Sequence, residues 1–110
     1  MKAALGVPPE NFPPAFELGQ VLTTCGIAAK MQDDVLFQIG VQVSLRRHSR
    51  GDWGCLCDDD KTMNDEAIAA ERRGEPTDQL FSAYMIGDEK IYIITEYDRK
   101  TTTILLPSEY

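Results

Sequence analysis

The chain has 110 residues, 43% hydrophobic and 26% charged, which fits one globular domain and argues against wholesale disorder. Eighteen acidic against 11 basic residues give a formal net charge of -7, a surface that repels phosphate backbones and disfavours generic nucleic-acid binding. An odd count of three cysteines, no secretory leader and no long apolar run point away from a disulfide scaffold or a membrane span. A cytoplasmic location with reduced thiols is expected.

Taken in chain order, the first segment carries Pro8, Pro9, Pro13 and Pro14. Each fixes φ and pushes its predecessor out of the helical region, so residues 1–15 read as an extended, flexible arm and the single domain as 16–110. "FELGQVLTT" alternates loosely and predicts a strand over 16–23, weakened by Gly19. Thr24 is expected to cap a short helix over 26–31 with its side-chain oxygen.

The stretch "DDVLFQIGVQVSLRRHSRG" is ambiguous. Val35, Phe37, Ile39, Val41, Val43 and Leu45 alternate as in a strand, while Val35, Leu36, Ile39 and Val43 also make a helical stripe. The end signals favour a helix: Asp34 suits its start, Arg46, Arg47 and His48 its last turn, and Gly51 its stop. Asp58, Asp59 and Asp60 then precede a helix predicted over 64–73 and closed by Gly74 and Pro76. "QLFSAYMI" and "KIYIITEY" flank "GDE" as a hairpin, and "TTTILLP" supplies a third strand that Pro107 ends. The fold class is α+β: a three- to four-stranded antiparallel sheet, with a C-terminal meander, packed by N-terminal helices.

Chemistry-bearing residues concentrate in "RRHSRGDWGCLCDDDK". His48 is the only histidine and the natural acid–base candidate, with Asp52 close enough in sequence to orient it. Ser49, Cys55 or Cys57 would be the nucleophile. A lone histidine at a helix end more often serves the helix dipole, and that structural reading is preferred. Zinc ligation by His48, Cys25, Cys55 and Cys57 is disfavoured because C-x-C is not the usual knuckle spacing. Asp58, Asp60 and Asp65 lack the glycine and final glutamate of a calcium loop. No metal and no cofactor is therefore expected. Arg46, Arg47 and Arg50 beside Trp53 could suit an anionic ligand, or could pair with nearby carboxylates. "GDWG" reads first as a turn in which Gly51 and Gly54 take positive φ and Trp53 folds back onto the core.

Several motifs in order, "RRHSRGDWG", "LFSAYMI" and "ITEYDRKTTTILLPSEY", resemble a family of small uncharacterised bacterial mobile-element proteins. Its members read R-H-x-x-G-D-W-G, then I-T-E-x-D-R-x-x-T-T-x-L-L-P-x-E-Y. The matching positions are Arg47, His48, Gly51, Asp52, Trp53, Gly54, Asn64, Ser82, Tyr84, Thr95, Glu96, Asp98, Arg99, Thr102 and Tyr110. The resemblance implies a setting in plasmids, integron cassettes or genomic islands, and a helix over 34–49. It implies no reaction. The label "type I restriction enzyme subunit M" that some members carry has no counterpart here, since no Gly-rich cofactor loop or N-P-P-F/Y motif is present. Cys55 stands where the family usually has Asp, and the helix over 34–49 is more apolar here.

Those observations predict a cytoplasmic accessory protein that binds another protein or itself. Membrane and nucleic-acid partners are not expected. The candidate binding set is Arg47, His48, Asp52, Trp53, Glu96, Asp98 and Arg99, gathered either as a site or as a polar network between helix and sheet. Two alternatives stand beside it. One is a small hydrolase or nuclease-like enzyme using His48 with Asp52 or Glu96. The other is an acidic inhibitor of a DNA-binding defence system, against which the interspersed arginines count.

Overall fold

The structure, a computed structural model, describes residues 14–110. Apart from its last two residues, the expected Pro-rich arm lies outside them. The elements run β1 (Gln20–Thr23), α1 (Cys25–Asp33), α2 (Val35–Ser49), α3 (Asp58–Arg72), β2 (Leu80–Ile86), β3 (Glu89–Thr95) and β4 (Thr101–Leu105), with a 3-10 turn at Pro107–Glu109. They form an α+β fold with one four-stranded sheet in the order β1-β4-β3-β2. The C-terminal meander is antiparallel, Leu80 facing Thr95 and Tyr92 facing Leu105. The sheet as a whole is mixed rather than antiparallel, because β1 joins β4 in parallel, Gln20 beside Thr101.

Local chemistry sets the element ends. Gly19 holds φ +66°, and a Cβ there would lie 2.2 Å from the Lys100 carbonyl oxygen, so β1 starts only after it. Thr24 is the N-cap of α1, but its side chain makes no cap bond. Its hydroxyl instead donates to Glu109 Oε1 (2.5 Å), and Glu109 Oε2 accepts the Gly26 N–H (2.9 Å). A carboxylate brought from the far end of the chain outcompetes the hydroxyl as acceptor. Those bonds, with one from the Leu106 N–H, hold Glu109 below the usual carboxylate range. At α2 the expected cap is present, Asp34 Oδ1 accepting from the Leu36 and Phe37 N–H groups. Helix α3 starts at Asp58, earlier than predicted, with three aspartates in its first turn where the dipole favours them.

Alternation along the strands puts Ile91, Ile93, Tyr84 and Ile104 on the sheet face that α1 and α2 cover with Ile27, Phe37 and Val41. Gly40 lets α2 approach closely, since a Cβ would meet Ile86 Cγ2 at 2.6 Å. A second cluster of Phe16, Trp53, Ala67, Ile68 and Leu80 fastens α3 and the incoming chain. The outer edge of β2 is closed by other parts of the chain. The Asn64 amide takes both the Phe81 carbonyl (2.7 Å) and N–H (3.2 Å). Ala83 bonds the Trp53 carbonyl and the Cys55 N–H. Such pairing leaves less of the edge open to another strand.

Candidate functional site

Helix α2 delivers Arg47 and His48 in its last turn, and Gly51 (φ +84°) and Gly54 (φ +77°) bend the chain so that Asp52 and Trp53 fold back beside them. His48 has no exposed surface. Its Nε2 lies 2.9 Å from Thr95 Oγ1 and its Nδ1 2.5 Å from Ser82 Oγ. Thr95 in turn lies 2.7 Å from Thr102 Oγ1, whose hydroxyl donates to the Leu18 carbonyl.

The proton count along that chain fixes the tautomer. The Thr102 proton is committed to Leu18, so Thr95 must donate to Thr102. Thr95 then has no proton left for His48, so Nε2–H is the donor and Nδ1 accepts from Ser82. A neutral imidazole satisfies every bond. Burial, reinforced by the nearby Arg99 charge, pushes the His48 pKa down to about 3.

Trp53 is buried and stacks on Phe16 at 6.1 Å, with its edge toward His48 at 5.6 Å. Its indole N–H donates to Asp65 Oδ1 (2.9 Å). Asp52 receives a two-point ion pair from Arg47, Nε to Oδ2 at 2.8 Å and Nη2 to Oδ1 at 3.2 Å. That pair keeps the Asp52 pKa low and the Arg47 pKa high. The Arg47 guanidinium also covers the Tyr84 ring at 5.0 Å, while the Tyr84 hydroxyl donates to the Asp52 carbonyl. Burial pushes the Tyr84 phenol well up.

The turn between β3 and β4 holds the other candidates. Arg99 takes φ +60° and is buried, its guanidinium donating to Glu71 Oε1, the Asp78 and Glu96 carbonyls, and Thr77 Oγ1. Asp98 Oδ1 accepts the Lys100 N–H and shapes the turn. The Glu96 carboxylate is exposed at the rim of an open groove of about 650 Å³, near Asp60 and Asp78. Leu56, Met63, Phe81 and Tyr97 give that groove its apolar lining.

The helix end and the strand turn do meet, through Phe16. Its ring meets His48 edge-on at 5.3 Å and carries the Arg99 guanidinium at 5.9 Å. Among the described residues no hydrogen bond or ion pair joins His48 to Asp52, Glu96 or Asp98. Sequence reasoning did not include Phe16, Ser82 or Thr95 in the candidate site. The hydroxyls were visible as polar interruptions in apolar strands; nothing marked Phe16.

Chemically the arrangement suits holding more than reacting. The imidazole is sealed from solvent, and both of its nitrogens are engaged. Cys25, Cys55 and Cys57 are free and exposed, and no group of three metal-ligating side chains gathers among the described residues. No helix among them is long and apolar enough to cross a membrane. No family model, curated protein or solved structure matches the chain.

Proposed function

We propose that this chain is an accessory protein that works by binding protein, with the outer face of α2 as its contact surface. The observation that carries the reading is the exposure of Val35 (65%), Leu36 (72%), Ile39 (50%) and Val43 (41%) on one helix. Contiguous apolar surface of this kind marks interaction sites on soluble domains. The bacterial mobile-element setting rests on the motif resemblance and is part of the same proposal. The enzyme alternative loses its histidine, because His48 is enclosed, while Asp52 is tied to Arg47 and the exposed Glu96 carboxylate makes no hydrogen bond to His48. The acidic-inhibitor alternative needs a face of one charge sign, whereas Arg46 and Arg47 sit between the acidic stretches.

Affinity capture from a bacterial lysate tests the reading, with wild type and Ile39→Glu as baits. A protein retained by wild type and released by the variant is the expected result. Equal retention by both would remove α2 as the contact surface, and a turnover activity abolished by Asp52→Asn in a folded protein would restore the enzyme alternative.

A further inference from the structure

The open groove of about 650 Å³ is lined from three elements. Asp60 and Met63 come from the first half of α3, Asp78 from the segment before β2, and Glu96 and Tyr97 from the turn after β3. The charge on its walls has one sign: Asp60, Asp78 and Glu96 line it, and no lysine or arginine does. None of these three carboxylates makes an ion pair among the described residues. Arg99 reaches two of these residues from within the fold, but only at the Asp78 and Glu96 carbonyls, and its charge is met by Glu71. Met63 and Tyr97 are large, apolar and mostly exposed. Phe81 continues the apolar lining into a ring cluster with Tyr92 (4.8 Å) and Tyr110 (6.1 Å). Aromatic and thioether surface framed by carboxylates is complementary to a group that is both cationic and flat.

We propose that this groove docks an extended, arginine-bearing segment of a partner protein, with a guanidinium seated against Phe81 and Tyr97 and further positive charge met by Asp60, Asp78 and Glu96. This docking goes beyond the α2 contact and uses none of its side chains. Charge complementarity selects the occupant. Carboxylates gathered on one groove without a cation repel one another, and a basic ligand relieves that repulsion, whereas an anionic one adds to it. Arginine suits the lining better than lysine, because a planar, weakly hydrated guanidinium stacks on rings and forks onto a carboxylate, while an ammonium holds its water. A segment suits it better than a single small cation, because the groove is open and its acids belong to three separate elements. The segment is held by side chains rather than by strand pairing, since the Asn64 amide already takes the Phe81 carbonyl and N–H.

Fluorescence anisotropy of a labelled, end-capped peptide of alternating arginine and glycine, titrated with the full chain at low salt, tests the proposal. The comparison probes are the same peptide with lysine for arginine, and arginine amide alone. The substituted side chains are all exposed, so each variant is expected to keep the wild-type melting temperature. Wild type is expected to bind the arginine peptide saturably and more tightly than either comparison probe. Tyr97→Ala is expected to weaken binding about fivefold, and Asp78→Asn and Glu96→Gln about threefold each. Asp88→Asn makes the same change in net charge at the opposite end of the β2–β3 hairpin and is expected to leave binding unchanged. Absence of saturable binding overturns the proposal, as does an Asp88→Asn loss equal to that of Glu96→Gln, which would mean attraction to the net charge alone. A Tyr97→Ala variant that binds like wild type, a lysine peptide bound as tightly, or arginine amide bound as tightly as the peptide also overturns it. Ile39→Glu is expected to bind the peptide like wild type, so failure here and failure of the α2 contact in the lysate experiment are read separately.

Discussion

His48 makes acid stability a direct reading of the core. Its folded pKa is depressed to about 3 by burial, against an ordinary value of 6.5. Above pH 6.5 the imidazole is neutral in both states and titration contributes nothing. Below it, the unfolded chain takes up a proton that the folded chain refuses, so stability falls as pH falls, until the folded pKa is reached. Between about pH 7 and pH 5 the loss for one such group is about 2 kcal/mol. The window is clean, since this is the only histidine and ordinary carboxylates titrate below it. The assay is urea unfolding at several pH values across that range, on wild type and His48→Gln. Wild type should lose about 2 kcal/mol, while the variant, less stable at pH 7, should show a nearly flat profile. The two curves should therefore converge on acidification. A wild-type stability unchanged between pH 7 and 5 would mean that His48 is solvated or already charged, and the neutral-tautomer argument would fail.

Three further substitutions test the supports around it. Asn64→Leu removes the amide that pairs with Phe81, so two strand-edge groups lose their partner; a cost of about 2–4 kcal/mol is expected in denaturant unfolding, with increased aggregation, and a loss below about 0.5 would refute the edge-closing role. Gly54→Ala places a Cβ 1.9 Å from the Ala83 carbonyl oxygen at φ +77°, and should cost about 3 kcal/mol or more, read as a lower melting temperature; wild-type melting would show that this approach is not needed. Arg99→Lys keeps the charge but cannot reach Glu71, Asp78, Glu96 and Thr77 together, so about 2–3 kcal/mol should be lost in urea unfolding; full retention would mean the fork geometry is dispensable.

What was legible in the sequence was largely local. The period of "DDVLFQIGVQVSLRRH" left strand and helix open; the cap at Asp34 and the basic last turn favoured the helix, the motif resemblance decided for it, and a helix is found. The meander was readable because its turns carry Gly87 and the "YDRK" stretch close to their strands. The parallel pairing of β1 was not, because it joins Gln20 to Thr101 and no local signal spans that separation. The cap of α1 failed for the same reason: Thr24 is a sound local choice, and the winning acceptor, Glu109, is 85 residues away. At the candidate site, the meeting of His48 with Arg99 depends on Phe16, an aromatic with no motif around it that reaches both from outside the sheet.

The polar residues of the "RRHSRGDWG", "LFSAYMI" and "ITEYDRKTTTILLPSEY" stretches have a physical reason to occur together in this chain. His48, Ser82, Thr95 and Thr102 form one hydrogen-bonded run ending on the Leu18 carbonyl. Arg47, Asp52 and Tyr84 lock the turn after α2, Asn64 closes β2, and Arg99 ties the last turn to α3. Each is engaged within the chain, so its presence here is sufficiently accounted for by what this fold requires. A buried polar run of this kind must be satisfied at every member or it destabilises, which couples its residues to one another without any ligand. Recognition must then be sought among side chains that the fold does not consume. On α2 the inward face is spent on the core, while Val35 and Leu36 are mostly exposed and Ile39 and Val43 about half exposed, all four outside the core cluster. Keeping four large apolar side chains in water brings no folding advantage, and that makes this face, rather than the histidine corner, the part of the molecule to perturb first.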